Sequence, residues 1–467
     1  MRGDWTKVAP LLPPLAVVAA AVTLGWWWTS RTDEGLVERV PGRDAAPGGE
    51  SGAANPVLAG QVIRGEAQPM ELPGDWPQFR GPNRDGIASE PGRVTRDWQS
   101  APPRPLWSVE LGEGYAGPAV RRGRVYVWDY DYAARQSALR CLSLADGRDV
   151  WRFAYPHFIK RNHGMTRTVP AVTGAFVVGV DSKCNVLCLD AASGALRWTL
   201  SLVGDFGATV PDWYTGQCPL VEDGKVILAP AGRDALLIAV DAATGKVLWR
   251  TPNPRGWRMT HSSIMPMELS GRRVYVYCAS GGVVGVDAND GTMLFESSDW
   301  KISIATVPSP LPLPDGRIFF TGGYNAGSLM AQLESANGRF AFKSLFRLPP
   351  TVFGATQHTP IYRDGHLYGV RADGRFVCLG LDGKVVWASG AAETFGLGSF
   401  LMADDVIFAL NDNGRLSLIA ATPTRWQLLG QTQILQGRES WAPMALVGNR
   451  LLARDLTRLV CLDVAAR

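Results

Sequence analysis

His163, His261 and His358 each stand a few residues ahead of a short Pro-containing segment: VPAV at 169–172, MPME at 265–268 and TPIY at 359–362. Histidine titrates near neutral pH and is the commonest metal ligand. Three imidazoles hold one ion only if all of them converge within ~2.1 Å of it. The unequal offsets of these three from the Pro argue against that, so no metal is expected. Arg167, Tyr214, Gln217, Ser262, Gln357, Arg438, Glu439 and Trp441 occupy comparable places. Together with the histidines they make a polar, hydrogen-bonding set with aromatic surfaces. Such a set suits a small ligand or a peptide end. It also suits the wet rim of any channel, where polar side chains solvate and cap turns.

The remaining chemistry-bearing residues read as structural. Cys141, Cys188, Cys378 and Cys461 recur in RCLSL, LCLD, VCLG and VCLD, at equivalent repeat positions that cannot converge on one metal. Free Cys at such places is a small apolar core residue. Cys184 and Cys188, if both sit on one strand, lie ~13 Å apart, beyond disulfide reach; a bridge requires Cys184 to lie in the turn and fold back. No G-x-S-x-G, H-E-x-x-H or C-x-x-C-H occurs, so no nucleophile elbow, zinc-protease motif or attached haem is expected. Gly112, Gly114 and Gly117 do not continue as a dinucleotide fingerprint. No catalytic residue is assigned.

What positions these residues is a repeat. Aromatics end similar segments at Trp107, Trp151, Trp198, Trp249, Phe295, Phe342, Trp387 and Trp426. Most follow a hairpin turn with the residues a tight turn demands, such as Ser193-Gly194, Thr244-Gly245 and Asp382-Gly383. Upstream lie a short, often Pro-containing strand, a second turn, and a strongly apolar strand such as RVYVW or KVILA. Four strands recurring every ~40–45 residues are the signature of a β-propeller. Eight copies predict an all-β, eight-bladed propeller with four antiparallel strands per blade.

The ends of the repeat complement each other. The last copy stops at RLVCLDVAAR without its aromatic strand, and the strand around Trp107 has no three strands before it. The Trp107 strand is expected to close the eighth blade, removing an open ring edge. The eight aromatics are expected to dock each blade on its neighbour, because a large flat ring is well suited to such packing. The short Pro-containing strand is the innermost one in a propeller. The histidine set should therefore ring one mouth of the central channel.

Residues 1–28 read as an N-terminal membrane anchor or signal peptide, since Val8 to Trp28 carries no charge. Trp5 and Trp26–Trp28 resemble interfacial belts, which favours one uncleaved transmembrane helix. Arg2 and Lys7 favour a cytoplasmic N-terminus. That orientation places the rest outside the cytoplasm, on the periplasmic side of a cell inner membrane. Residues 29–74 are rich in Gly, Ala, Pro, Glu and Arg and are expected to form a flexible linker. Residues 75–104 form a turn-rich cap leading into the propeller, which spans 105–467. The 467 residues carry 47 Lys+Arg against 43 Asp+Glu, a net charge of +4 that gives no reason to expect nucleic-acid binding.

The pattern D-A-x-(S/T)-G-x-x-x-W, seen at Asp190–Trp198 and Asp241–Trp249, resembles the repeat of PQQ-like, or quinoprotein-like, propellers. The likeness covers roughly 100–467. Asp75–Gly86, DWPQFRGPNRDG, resembles the lead-in of many bacterial members and is read as a plug over one end. One branch of the family comprises PQQ-dependent dehydrogenases, which imply PQQ, Ca²⁺, an Asp base and often a disulfide between adjacent cysteines. This chain has no adjacent Cys pair, and its blades leave little room for funnel-building insertions. The other branch is non-catalytic and includes the lipoprotein of the outer-membrane β-barrel assembly machine. The chain resembles that branch in size, though it has no Cys near its N-terminus to carry a lipid.

These readings together imply a membrane-tethered, monomeric propeller that binds other proteins at the cell envelope, without catalysis or cofactor. The alternative is a PQQ/Ca²⁺-dependent alcohol dehydrogenase. A carbohydrate-binding propeller, using Trp213, Trp257 or Trp441, is a third reading.

Overall fold

The computed structural model describes residues 12–29, 55–336 and 339–466. The chain divides into two units, Met1–Pro41 and Gly42–Arg467. In the first, Leu12–Thr29 forms an α-helix of 18 residues. At 1.5 Å per residue it is ~27 Å long, short of the ~30 Å of a bilayer core. Among the described residues no helix is long and apolar enough to cross a membrane. Residues 8–11 of the expected span lie outside the described residues.

The second unit holds eight antiparallel sheets. Blade 1 runs from Ala119–Arg121 to Asp149–Pro156. Blades 2–7 begin with their inner strands at Ala171, Leu220, Met265, Leu311, Ile361 and Phe400. Blade 8 comprises Ala445–Val447, Arg450–Arg454 and Arg458–Asp463, and its fourth strand is Arg104–Glu110. Trp107 pairs with Cys461, and Ser108 with Val460. The ring is thus closed by pairing residues some 350 positions apart in the sequence.

The repeat motif has a direct physical basis. Asp190 Oδ1 accepts from the backbone N–H and the hydroxyl of Ser193, and Asp241 Oδ1 does the same with Thr244. Each carboxylate locks a turn whose Gly has positive φ, +74° at Gly194 and +73° at Gly245. The preceding blade's Trp then lies flat on that Gly. A Cβ on Gly194 would meet Trp151 at 2.7 Å, and one on Gly245 would meet Trp198 at 2.8 Å. The indole N–H donates to the carbonyl beside the turn. Trp107 bonds Leu144 (2.9 Å), Trp151 bonds Ala191 (3.3 Å), Trp198 bonds Ala242 (2.9 Å) and Trp387 bonds Thr422 (2.8 Å). Trp249 lies on Gly291 in the same way, but Lys225 Nζ takes the Ala288 carbonyl. Its indole N–H is buried with no partner among the described residues.

Two docking assignments are corrected. In these outer strands the docking residue stands just after a register shift, as Trp198 does opposite Cys188. In blade 5 that residue is Phe346, opposite Met330, not Phe342. Phe346 lies against Gly383, whereas Phe342 packs on Phe295 and Phe320. The strands of this hairpin are ten residues long, so the docking position falls further along the chain than the turn suggests. In blade 7 the position is Gly430, opposite Leu418, not Trp426. Trp426 instead packs at a tilt against Trp387 and edge-on against Phe395. The ring missing at Gly430 comes from the lead-in, where buried Trp98 covers it. Thr95 N–H then donates to the Val464 carbonyl (3.0 Å), beside which the blade 8 turn would begin.

The linker also ends earlier than expected. Residues 30–54 lie outside the described residues, but Pro56–Ala59 forms a 3₁₀ turn with Val57 fully buried. Gln61–Arg64 pairs antiparallel with the outer strand of blade 1. The free backbone groups of that edge offer hydrogen bonds that a solvated tether lacks.

Around the channel, residues just ahead of the inner strands of blades 3 to 6 repeat a second device. Cys218 N–H donates to Ser263 Oγ (3.0 Å), Ser263 to Ser309 Oγ (3.0 Å) and Ser309 to Thr359 Oγ1 (2.8 Å). Small side chains with acceptor atoms link consecutive blades there.

Candidate functional site

The lead-in fills one end of the central channel. Trp76 exchanges backbone hydrogen bonds with Val120 of blade 1 (2.9 and 2.8 Å), and Val172 N–H of blade 2 donates to Pro77. Met402 of blade 7 bonds Gly86 and Ala88 (2.9 Å each). Arg84 donates to Pro219 O (3.1 Å) and Arg80 to Thr359 O (2.6 Å) and Pro360 O (2.8 Å), reaching blades 3 and 6. One short segment thereby contacts five blades. Burial pulls both guanidinium groups down to about 10, which leaves them charged at neutral pH.

Above this plug lies a cavity of about 390 Å³. Its walls carry Trp76, Phe79 and Arg80 from the plug, then His163, Arg167, His261, Gln357, His358 and Trp441. Tyr115, Trp213, Tyr324 and Phe400 also line it. Among the described residues no Asp or Glu lines it. Arg167 donates to the carbonyls of Gly164, Asn162 and His163 and lies 5.5 Å over the Tyr115 ring. Tyr115 stacks on Trp441 at 5.2 Å and donates its hydroxyl to Glu439. Trp441 in turn donates to Asp412 (2.7 Å). Burial, with the Arg167 charge second, lowers the His261 pKa to about 3, so this imidazole is neutral. Burial lowers His358 as well. The Nε2 atoms of both are buried without a hydrogen-bond partner among the described residues.

Six of the eleven residues expected at the mouth line this cavity: His163, Arg167, His261, Gln357, His358 and Trp441. The other five do not. Tyr214 is buried and donates to Lys160 O (2.6 Å). Gln217 clips the Ala229 backbone through both ends of its amide (3.1 and 2.8 Å). Ser262 is fully buried, Arg438 is exposed, and Glu439 is held by Tyr115. Neighbours in sequence can differ in direction here, as His261 and Ser262 do, so proximity to the inner strand did not decide which face the channel. Tyr115, Tyr324 and Phe400 were missed. Tyr115 could have been found by applying the offset from the inner strand to blade 1, whereas Phe400 is the first residue of the blade 7 inner strand itself.

A second cavity of about 450 Å³ adjoins the first over blades 3–5 and shares Trp213, His261, Ala305 and Tyr324 with it. Of the tryptophans considered for sugar stacking, Trp257 is packed on Gly281 and Gly282 and Trp441 is held by Tyr115 and Asp412. All seven cysteines are free and buried.

The fold and channel define a closed, plugged eight-bladed propeller of the PQQ-like type. By its match over residues 135–389, the chain belongs to the family described as outer membrane protein assembly factor BamB. It is 21% identical to the outer membrane protein assembly factor BamB of Moranella endobia over 370 residues, 76% of each chain. It is 27% identical to the 1-butanol dehydrogenase (quinone) of Thauera butanivorans over 165 residues, 33% of this chain and 25% of that enzyme. The crystal structure of BamB from Moraxella catarrhalis superposes with a TM-score of 0.53 at 14% identity, covering 77% of this chain and 99% of that one. That likeness is one of fold.

PQQ with Ca²⁺ does not fit the channel. Ca²⁺ takes six to eight oxygen ligands with carboxylates prominent among them, and the lining offers none. Among the described residues no group of three or more His, Cys, Asp or Glu could hold a metal.

Proposed function

We propose that this chain is a membrane-tethered, extracytoplasmic scaffold that binds other proteins at the cell envelope and catalyses no reaction. The observation that carries this reading is the channel wall. It presents guanidinium, neutral imidazole and aromatic groups, but no carboxylate to act as base or to hold Ca²⁺. Membership of the assembly-factor family supports the same reading. So does the relative share of each match: the assembly factor aligns over 76% of this chain and the dehydrogenase over 33%. The charge-free stretch Val8 to Trp28, which takes in most of the apolar helix Leu12–Thr29, supports a membrane anchor with the propeller on the periplasmic side of the inner membrane. A rigid ring carrying loops on two faces is suited to display contacts, and tethering raises its local concentration near membrane partners.

Two measurements test this. A photo-crosslinking side chain at exposed Tyr324 or Phe158, in the full chain in intact cells, is expected to trap discrete protein partners in the membrane fraction. Loss of the helix should reduce that yield. Titration of the purified chain with PQQ and Ca²⁺, followed by Trp fluorescence, is expected to show no saturable quenching. Stoichiometric quenching at micromolar quinone would overturn the non-catalytic reading.

A further inference from the structure

We propose that the plugged channel receives the C-terminal end of an extended partner polypeptide, with its carboxylate at the Arg167 guanidinium. This rests on the reading that the propeller binds polypeptides, and names where one of them enters.

Charge comes first. The cavity wall holds the Arg80 and Arg167 guanidinium groups against no carboxylate among the described residues. Arg167 is fixed rather than free: three backbone carbonyls and the Tyr115 ring hold it in place. None of those partners neutralises its charge. Glu439, the acid bound to Tyr115, is not part of the wall. A carboxylate entering here gains a preorganised, charge-assisted partner with little ordering cost.

Unfilled hydrogen bonding comes second. His261 and His358 line the same cavity with buried Nε2 atoms lacking partners. A buried polar atom left unsatisfied is costly, and a ligand that satisfies it recovers that cost.

Shape decides between a chain end and a chain middle. The plug bonds to five blades and closes the channel below, so a strand cannot thread through. The adjoining groove of about 450 Å³, continuous through Trp213, His261 and Tyr324, gives preceding residues a way out over blades 3–5. The cationic wall selects the carboxyl end over the amino end.

The test uses the full chain and a randomised octapeptide pool, prepared once with a free C-terminal carboxylate and once amidated. Retention on immobilised protein is read by mass spectrometry. The free-acid pool is expected to be retained at least ~10-fold better than the amide. Arg167→Gln should abolish the difference, and Arg167→Lys should keep part of it. The acid–amide contrast in the unaltered chain stands even if a variant fails to fold. Equal retention of both pools, or no retention of either, overturns the proposal while leaving membrane cross-links intact. Saturable binding of benzoate without any peptide retention assigns the site to a small carboxylate and overturns it too. Loss of all cross-linked partners would instead remove the scaffold reading itself.

Discussion

Trp98 covers Gly430: a Cβ placed on that glycine would stand 2.6 Å from the Trp98 Cβ. A residue of the lead-in therefore supplies the aromatic that blade 7 lacks, 332 positions away in sequence. Seven blades carry their docking ring on their own outer strand or, for blade 8, on the strand that closes the ring. Blade 7 alone borrows one from a segment belonging to no blade.

Trp98→Ala should cost ~3–5 kcal/mol, as for other buried Trp truncations. Gly430→Ala should be destabilising in the natural background and nearly neutral beside Trp98→Gly, which removes the Cβ it would meet as well as the ring. A double-mutant cycle by urea unfolding measures this coupling. Additive effects would show that the two residues do not meet.

Turn glycines should differ according to what lies on them. Gly194 and Gly224 both have positive φ, +74° and +72°. Trp151 covers the first, and a Cβ on the second meets nothing within 4 Å. Gly224→Ala should cost only backbone strain, ~1–2 kcal/mol. Gly194→Ala should cost clearly more, because the Trp151 ring must also move. Equal losses in chemical denaturation would contradict the docking account.

Ending the chain before Arg450 removes the two strands that join Trp107 to the ring. Blade 8 then loses its closure, and edges are exposed in the channel-lining ring. The truncated protein should aggregate or lose its cooperative melt in calorimetry. A monomeric, cooperative transition at the original temperature would refute closure through Trp107.

Acid should destabilise the propeller through His261. Its folded pKa is lowered to about 3 from an ordinary 6.5, so the unfolded chain binds the proton first as pH falls. The stability this group confers is complete above pH 6.5 and is lost progressively toward pH 3. The slope is at most ~1.4 kcal/mol per pH unit. His261→Gln should flatten part of the stability loss between pH 6 and pH 4 in urea titrations. An unchanged slope would place the acid sensitivity elsewhere.

The seven cysteines should be silent in the native state. Burial pushes the Cys184, Cys188 and Cys461 thiols up to about 12, so almost no thiolate is present at neutral pH. A chromogenic disulfide reagent should count seven thiols in denaturant and essentially none before it. Fast native labelling of even one would show that its blade opens.

Much of this architecture was legible in the sequence because its causes are local. Asp190, Ser193 and Gly194 make a turn whatever lies beyond it, and the continuous apolar run Val125–Trp128 marks a buried strand. Repeating such units eight times, with a strand missing at one end and spare at the other, already implied a closed ring. Phe346 and Gly430 escaped because hairpin length and a bulge set which residue faces the next blade. Only the closed ring determined the rest. Arg80 reaches Thr359 across 279 positions, Trp98 reaches Gly430, and the walls of one cavity come from the plug, from residues at or shortly before the inner strands of all eight blades, and from flanking loops. Their meeting depends on the curvature of the whole ring, and no periodicity in the chain encodes which side chains that curvature turns inward.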